Sequence, residues 1–451
     1  MTAGDMASDA VSVTRIGVIG TGYLGATHAV CMSELGFSVV GVDVDEAKVA
    51  SLASGYVPFF EPGLEELLRK NLDTGRLTFS TSFEDAADAD VHFLCVGTPQ
   101  RPDSPAADLS YLHSAVDRLL AAGPKGGSLI VGKSTVPAGT AEDLAARLAA
   151  EAPGIGIAWN PEFLREGFAV EDTLRPDRLV LGLPDDGGRA EAMLRAVYAG
   201  SISAGTPVVL ADFATAELVK VAANAFLATK ISFINAMSEI CEVVGGDVKT
   251  LASALAYDTR IGGRFLGAGV GFGGGCLPKD IRAFQARAIE VGAGEAVRFL
   301  GEVDAINLRR RERVAALAAE LLGGSVVGRR IAVFGAAFKP NSDDIRDSPA
   351  LDVSVLLHRA GALVTVCDPA AIPNARRRYP ELSYAPTAIE AAHDADVVLH
   401  LTEWADFREI DPVQLAAHVR TPIIIDGRNT LEVDRWRAAG WAYHALGRPN
   451  V

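Results

Sequence analysis

Cysteine is sparse in this 451-residue chain, and its five copies follow no pattern. The number is odd and no two cysteines form a CxxC pair; they stand at Cys31, Cys95, Cys241, Cys276 and Cys367. A disulfide framework requires paired cysteines and a thiolate metal site requires close ligand spacing, so neither is expected. We therefore predict no metal site, and a reducing compartment, the cytoplasm, as the location of the protein.

Long basic and long apolar runs are also missing. The net charge is −15 and no block of five or more basic residues is present, which argues against nucleic acid or an anionic membrane as a partner. No apolar stretch of about 20 residues is free of charge, so a membrane span is not expected. The segment Met1 to Ser12 is small and polar; it does not resemble a signal peptide and is expected to fray.

The remaining composition is that of an ordinary globular protein. Hydrophobic residues make up 49% of the chain and charged residues 22%, which excludes a disordered chain. Because 451 residues exceed what one hydrophobic core supports, we expect two or three domains.

The first half alternates strands and helices. Arg15 to Asp45 has the pattern of a strand, a glycine turn, a helix and a second strand. Further strands are predicted at Val91–Val96 and Ser128–Gly132, with helical patterns between them. This alternation predicts an α/β fold with a parallel sheet covered on both faces.

A second α/β unit begins near Arg329. Its strand, helix and strand are predicted at Ile331–Gly335, Ala350–Arg359 and Ala362–Cys367. The run Asp-Ala-Asp-Val precedes a strand in both halves, at Asp88–Val91 and at Asp394–Val397. Two Rossmann-like doubly wound units are therefore predicted, joined by helical sequence.

A long helical pattern lies between these units, from about Thr215 to Val244, and is stopped by Gly245. Such a helix would run on the order of 45 Å, enough to connect two domains and to form a subunit interface. Its polar residues share one face: Glu217, Lys220, Asn224, Asn235, Glu239 and Glu242. This face is either a solvated stripe or, as we favour, points Lys220 and Asn224 into a cleft.

The motif Gly20-x-Gly22-x-x-Gly25 follows the first strand and opens a helix. Its glycines suit a tight turn, close approach of a pyrophosphate and helix–strand packing, as a dinucleotide site requires. Asp43, at the end of the second strand, is placed to bind the ribose hydroxyls of NAD and to repel the extra phosphate of NADP. Asp45 is a competing candidate, and Lys48 either contacts the ribose or is solvated.

Three other loops follow predicted strands, at Val96–Pro99, Lys133–Pro137 and Asn160–Gly167. Ligands of open α/β sheets bind at this edge. Proline and threonine are also ordinary turn residues, so each loop alone is a weak signal.

Cys276 ends a run that holds five glycines in eight positions, Gly269 to Cys276. Glycines let the backbone bend and could bring a thiol close to a substrate, with Lys279 and Asp280 supplying charge nearby. The alternative is an inert buried cysteine in a flexible loop.

The segment Phe338–Pro349 follows the first strand of the second unit and lacks the glycine motif. Lys339 and Arg346 are cations suited to phosphate oxygens, whereas Ser348 before Pro349 is typical of a helix start. A dinucleotide and a second, phosphorylated ligand are therefore indicated.

Together these motifs resemble the UDP-glucose/GDP-mannose dehydrogenase family, from about Arg15 to about Leu431. The resemblance rests on GTGYLG, VGTP, KSTVPAGT, NPEFLREG, FGGGCLPKD, FKPNSDDIRDSP, LTEW and IDGRN, and on the helix with Lys220 and Asn224. It implies NAD-dependent, four-electron oxidation of a nucleotide-sugar C6 alcohol to a carboxylate, with UDP-glucose as the favoured substrate and two NAD molecules used in turn.

The resemblance also implies roles for individual residues. Cys276 would be the nucleophile that forms a thiohemiacetal and then a thioester, Lys220 and Asn224 would stabilise the oxyanion, and Asp280 with Lys220 would handle protons. Thr135 and Glu162 would position a water. Contacts to NAD are implied for Gly20, Gly22, Tyr23, Leu24, Gly25, Asp43, Lys48, Gly97, Thr98, Thr135, Glu166, Lys279 and Arg346. Contacts to the sugar nucleotide are implied for Glu162, Phe163, Leu164, Arg165, Glu166, Lys220, Asn224, Arg260, Phe265, Leu266, Gly267, Gly273, Phe338, Lys339 and Arg428.

The family likeness divides the chain into an NAD-binding Rossmann domain (1–212), a central helical dimerisation domain with the catalytic cysteine (213–322) and a UDP-sugar-binding Rossmann-like domain (323–451). It also implies a homodimer or higher oligomer in which Arg260 crosses the interface. Gly275 and Leu277 stand where many relatives have serine and phenylalanine. GDP-mannose, a UDP-N-acetyl hexosamine and a two-electron β-hydroxyacid dehydrogenase stay open as alternatives.

Overall fold

A computed structural model of the chain describes residues 12–449. The expectation that Met1 to Ser12 frays therefore lies, up to position 11, outside the described residues. The described chain forms two compact units, one ending at Ala222 and one beginning at Ala223. The three-domain division stays a prediction. No helix between residues 12 and 449 combines the length and the apolar character needed to cross a membrane, and the same residues hold no cluster of three or more metal-ligating side chains.

The first unit contains an eight-stranded sheet in the order β3-β2-β1-β4-β5-β6-β7-β8. Its strands are β1 Arg15–Ile19, β2 Ser38–Val42, β3 Leu77–Ser80, β4 Val91–Leu94, β5 Leu129–Gly132, β6 Gly156–Trp159, β7 Leu179–Gly182 and β8 Val208–Ala211. Its helices are α1 Tyr23–Glu34, α2 Glu46–Ala53, α3 Leu64–Asp73, α4 Ser110–Ala121, α5 Thr140–Glu151, α6 Ala169–Leu174, α7 Gly188–Val197 and α8 Ala199–Ser203, with a 3-10 turn at Phe83–Ala86. The strands β4, β5 and β7 are buried throughout because helices cover both faces.

The chain order reverses at β1, which pairs in parallel with β2 on one side and with β4 on the other. Such a switch point leaves a crevice at the carboxyl ends of the strands, where ligands of this fold class bind. Only β6 and β7 pair antiparallel among the pairs of this sheet within residues 12–449.

The second unit contains a six-stranded parallel sheet in the order β11-β10-β9-β12-β13-β14. Its strands are β9 Arg330–Phe334, β10 Leu363–Cys367, β11 Ser383–Tyr384, β12 Val397–His400, β13 Ile423–Asp426 and β14 Ala442–Ala445. Its further helices are α10 Val248–Ala256, α11 Leu277–Glu290, α12 Phe299–Leu321, α13 Pro349–Arg359, α14 Ile372–Arg378, α15 Ala388–Ala392, α16 Ala405–Arg408, α17 Pro412–Ala416 and α18 Val433–Ala438, with a 3-10 turn at Gly294–Val297. The α/β fold with two Rossmann-like sheets is thus confirmed.

The repeated Asp-Ala-Asp-Val run has the same structural task in both halves. Asp90 accepts a hydrogen bond from the backbone N–H of Arg15 at 3.1 Å, and Asp396 accepts one from the backbone N–H of Arg330 at 2.8 Å. Each aspartate thereby satisfies the backbone group at the start of the central strand of its sheet.

The carboxylates that follow the second strand of each unit differ in their surroundings. Asp368 accepts five hydrogen bonds, from the backbone N–H groups of Ala336, Ala337, Ala370 and Ala371 and from Trp404 Nε1. These donors use the whole hydrogen-bonding capacity of the carboxylate. Asp43, its counterpart in the first unit, lines an open cavity.

The long helical pattern forms α9, Phe213–Val244, and ends at Gly245, whose φ is 75°. Glu217, Lys220, Asn224 and Asn235 on its polar face are buried. A solvated stripe is therefore wrong for these four residues, and buried polar groups of this kind need specific partners.

Candidate active site

The glycine turn after β1 is shaped by close contacts. Gly20 has a φ of 88°, which L side chains rarely adopt, and a Cβ on Gly25 would lie 1.7 Å from the carbonyl oxygen of Gly20. Around Gly22, in contrast, no atom lies within 4 Å of an added Cβ. This free space at the start of α1 is where the helix N-terminus offers backbone donors to a pyrophosphate.

Asp43 is held as a carboxylate by its neighbours. Its Oδ2 accepts hydrogen bonds from the backbone N–H of Thr21 at 2.7 Å and from Lys48 Nζ at 2.8 Å. Burial raises its pKa, but these donors and the N–H of Asp45 outweigh burial, so the pKa lies below its usual value. Asp45, the competing candidate, instead caps α2 by accepting from the N–H groups of Ala47 and Lys48.

A cavity of about 370 Å³ opens beside this carboxylate. Of the predicted NAD contacts, it is lined by Gly20, Gly22, Asp43, Lys48 and Gly97. Sequence reasoning missed Phe83, Tyr111 and Arg118, which also line it; Tyr111 and Arg118 stand seven residues apart on α4, a spacing that places both on one face of a helix. An open backbone at Gly22 with an ionised carboxylate fits the pyrophosphate and ribose of NAD.

Glu162 and Lys220 form an ion pair in the first unit, with Oε1 and Nζ 2.9 Å apart and both side chains largely buried. Glu162 Oε2 also accepts the backbone N–H of Leu164 at 2.6 Å. Two cations lie near the centre of the Phe163 ring, Lys220 Nζ at 5.7 Å and the guanidinium carbon of Arg178 at 3.8 Å. Of the other residues predicted here, Arg165 pairs with Asp172 at 2.6 Å.

Thr135 and Thr98, both predicted to contact NAD, are brought together by a hydrogen bond. Thr98 Oγ1 donates to the backbone carbonyl of Thr135 at 2.7 Å. This bond fixes the loop after β4 against the loop after β5, at the edge of the sheet where ligands bind.

Glu61 is a residue that sequence reasoning missed. It is buried and accepts hydrogen bonds from the backbone N–H groups of Gly167 and Ala169, at 2.7 and 2.8 Å, and from the hydroxyl of Tyr23. Burial and the neighbouring Glu61 raise the pKa of Tyr23 far above its usual value, so the tyrosine stays a donor. Glu61 thus joins the dinucleotide turn to the end of the loop Asn160–Gly167. The sequence signal that could have indicated its burial is its position between Phe59-Phe60 and Pro62.

Cys276 is the exposed cysteine, whereas the other four are buried. Burial raises the pKa of Cys31 and of Cys95 to about 12 and that of Cys367 still further, which keeps those thiols protonated and inert. Cys276 occupies the N-terminal cap position of α11, where the helix dipole favours negative charge. The alternative of a buried cysteine is wrong for this residue.

Asp280 lies one turn into α11 and is almost fully buried. It accepts hydrogen bonds from Asn224 Nδ2 and from Lys279 Nζ, both at 2.6 Å. Its backbone N–H donates to the carbonyl of Cys276 at 2.8 Å. The second unit therefore brings the predicted catalytic residues Cys276, Asp280 and Asn224 into one cluster, together with Lys279, the predicted NAD contact.

The glycine loop before Cys276 is tightly packed rather than flexible. A Cβ on Gly273 would lie 2.2 Å from the carbonyl oxygen of Asp347, and one on Gly269 would lie 2.4 Å from that of Gly427. A Cβ on Gly275 would meet the guanidinium of Arg346 at 2.2 Å, the far end of a mobile side chain. Glycine is thus required at Gly269 and Gly273 because backbone segments touch there.

Three side chains of α12 hold this loop. Asn307 Oδ1 accepts the N–H of Phe272 at 2.7 Å and its Nδ2 donates to the Phe272 carbonyl at 3.0 Å. Arg311 donates to the same carbonyl at 3.0 Å, and Arg310 donates to the carbonyl of Gly269 at 3.3 Å. Sequence reasoning missed all three; Arg310 and Arg311 belong to a run of arginines, which on a helix is typical of a solvated face.

The predicted sugar-nucleotide contacts of the second unit fall into two groups. Arg428 donates to the backbone carbonyls of Leu401, Gly271 and Phe338, at 2.7, 2.9 and 3.1 Å, and so braces the edge of the sheet. The others lie on loops: Lys339 is partly exposed, Phe265 has a φ of 65°, Leu266 is buried, and the side chain of Arg260 is 87% exposed beside Asp258. Arg346, a predicted NAD contact, pairs with Asp344 at 2.6 Å.

A doubly wound sheet with a dinucleotide turn, and a second such sheet whose unit carries an exposed thiol, define an NAD-binding α/β oxidoreductase. Comparison with known proteins specifies it further. Models of the UDP-glucose/GDP-mannose dehydrogenase family match three consecutive parts of the chain: the NAD binding domain at residues 14–202, the central domain at 214–309 and the UDP binding domain at 332–433.

Individual relatives are similar over nearly their full lengths. A UDP-glucose 6-dehydrogenase of Rhizobium meliloti is 41% identical over 97% of this chain and 100% of its own. The UDP-glucose 6-dehydrogenase TuaD of Bacillus subtilis is 40% identical, covering 97% and 94%. The solved structure of a UDP-glucose dehydrogenase from Pyrobaculum islandicum is 38% identical, covering 99% and 100%, with a TM-score of 0.86. The chain belongs to the UDP-glucose/GDP-mannose dehydrogenase family and is an NAD-dependent oxidoreductase.

Proposed function

We propose that this chain oxidises UDP-glucose at C6 to UDP-glucuronate, with two NAD molecules reduced per sugar. The single observation that carries the proposal is that the start of α11 holds an exposed thiol, Cys276, and, four residues later, the buried carboxylate of Asp280. A two-electron β-hydroxyacid dehydrogenase needs no such thiol. The names of the relatives with about 40% identity favour UDP-glucose among the nucleotide sugars.

NAD, when bound at the glycine turn and Asp43, supplies an acceptor for the two electrons and the proton that leave C6 as hydride. The side chains act on the remaining atoms. Lys220 and Asn224, as donors, stabilise the negative oxygen that develops at C6. Glu162, paired with Lys220, and Thr135 position the water.

The sulfur of Cys276 adds to the C6 aldehyde to form a thiohemiacetal, which loses a second hydride and becomes a thioester. Water then attacks the thioester carbonyl, the C–S bond breaks, and the products are a carboxylate and the free thiol. Asp280 accepts a proton in this sequence. Covalent attachment keeps the aldehyde from diffusing away while the spent cofactor is exchanged.

The substrate assignment is tested by a panel of UDP-glucose, GDP-mannose and UDP-N-acetyl hexosamines, with NADH counted per sugar consumed. We expect UDP-glucose to give the highest kcat/KM and a ratio of two. A ratio of one with every sugar would contradict the four-electron reaction, and a ratio of two with another sugar preferred would contradict only the substrate. GDP-mannose is the control substrate, because both its base and its sugar differ from those of UDP-glucose.

We also propose a homodimer in which Arg260 completes the site of the partner subunit. Phe226, Phe233 and Ile240 are exposed at seven-residue spacing on α9, an apolar stripe that suits a second helix. Tyr257 and Arg260, which follow α10, are also largely exposed.

Mixing two inactive variants tests the shared site. R260A and C276S are each expected to lose most activity, and a mixture after subunit exchange should recover about a quarter of it, since half of the dimers are hybrids with one intact site of two. The pair C276S and D280N is the control, because no hybrid of these two has an intact site. Equal activity in both mixtures would contradict a shared site.

A further inference from the structure

Lys133 is a buried lysine to which the proposed mechanism gives no role. It follows β5 directly, is 7% exposed, and its Nζ donates to Asn160 Oδ1 at 3.0 Å and to the hydroxyl of Tyr198 at 3.4 Å. Tyr198 in turn donates to the same Asn160 oxygen at 2.6 Å. The ammonium also lies over the rings of Phe93 and Tyr198, at 5.7 and 5.9 Å.

This network lies next to the residues that are proposed to position the reacting water. Lys133 stands two residues before Thr135, and Asn160 stands two residues before Glu162. Asn160 Nδ2 is anchored on the carbonyl of Val180 at 2.9 Å. A bond from Lys133 to Asn160 therefore ties the loop that carries Thr135 to the loop that carries Glu162.

A charged group here is costly. Moving an ammonium out of water is unfavourable, and an apolar side chain of similar length would fill the site without that cost. Buried ionisable groups that carry such a cost are found mainly at functional sites.

We propose that Lys133 is a positioning residue, which through Asn160 sets the orientation of Glu162 relative to Thr135. This inference rests on the proposed function, because it assigns Thr135 and Glu162 to the placement of the reacting water. It adds a residue outside the reacting atoms that controls the hydrolytic half of the reaction.

The charge of Lys133 changes near pH 8. Burial lowers its pKa to about 8; Cys95 and Glu162 oppose this shift, and Lys220 adds to it. His28, on α1, also faces it, and burial and Lys133 lower the pKa of this imidazole, so that it is neutral. The charged form of Lys133 dominates below pH 8 and is lost as the pH rises through that value. Activity that depends on this charge must fall over the same interval.

The test compares K133M with the wild-type chain in kcat, in KM for NAD and in the pH profile from 6.5 to 9.5. We expect K133M to lower kcat about tenfold to hundredfold, as small misplacements of catalytic groups do, with KM for NAD unchanged. The fall of activity near pH 8 should disappear. K125M, which removes a more exposed lysine paired with Asp90, is the matched control. Wild-type kcat and an unchanged alkaline limb in K133M would overturn the proposal.

A second variant covers the case in which K133M does not fold. Y198F removes one acceptor of the Lys133 ammonium and keeps the ring, so the alkaline limb should shift to lower pH; an unmoved limb would overturn the proposal. Failure of the proposed function is distinguishable, since it appears in the wild-type chain as a NADH-to-sugar ratio other than two. If another nucleotide sugar is preferred, the same comparison is made with it.

Discussion

Replacement of Cys276 by serine is expected to stop the reaction before the carboxylate is formed. Serine can occupy the cap position of α11, but its hydroxyl is a weaker nucleophile and a poorer leaving group than the thiol. Turnover to UDP-glucuronate should fall about thousandfold or more, as when other covalent nucleophiles are removed. The measurement is NADH released per sugar in a single turnover, with at most one expected for C276S and two for the wild-type chain.

The control for this variant is C241A, which changes a buried cysteine of α9 and should leave the ratio at two. Denaturation of wild-type enzyme during turnover should also trap the sugar covalently on Cys276, as detected by mass spectrometry. Two NADH per sugar from C276S at the wild-type rate would rule out the thioester and favour a β-hydroxyacid type of mechanism.

Replacement of Arg311 by leucine is expected to give the largest loss of stability. Arg311 is buried and pairs through Nη1 with Asp347, at 2.9 Å, and with Asp352, while Nη2 donates to the carbonyl of Phe272. Removing one partner of a buried pair leaves charges and a carbonyl unpaired. The partner aspartates are partly solvated, so we expect a decrease in the free energy of unfolding of about 2–4 kcal/mol.

R309L is the matched control for R311L. Arg309 stands two residues before Arg311 on α12, but it is largely exposed and pairs with Glu239 only at 3.5 Å. Its effect should stay within about 0.5 kcal/mol. Urea denaturation followed by tryptophan fluorescence measures both variants. R311L should also lower kcat, since the loop before Cys276 loses a support. Equal midpoints for R309L and R311L would show that the Arg311 network does not stabilise the unit.

The sequence predicted those parts of the fold that depend on local pattern. Buried strands are specified by residues close together in the chain, so five elements lie within two residues of their predicted positions: β4, β5, β9, α13 and β10. The helix predicted over Thr215–Val244 begins only two residues earlier. The repeated Asp-Ala-Asp-Val run was informative because Asp90 and Asp396 accept hydrogen bonds from equivalent backbone N–H groups, those of Arg15 and Arg330.

The supports of the site were not predictable in this way. Glu61 reaches Gly167, 106 residues away, and Asn307 reaches Phe272, 35 residues away, so their partners exist only once the sheet and helices are assembled. The need for glycine at Gly269 and Gly273 likewise comes from backbone contacts with other segments. The contacts of Arg310 and Arg311 were not predicted, because a run of charged residues on a helix normally indicates a solvent-exposed face.

The carboxylate of Asp368 has a structural task in the second unit. Its backbone donors follow β9 and β10, and its fifth donor, the indole of Trp404, follows β12. One side chain thereby joins three turns at the carboxyl edge of this sheet, and we expect a nucleotide bound there to be recognised by groups other than this aspartate.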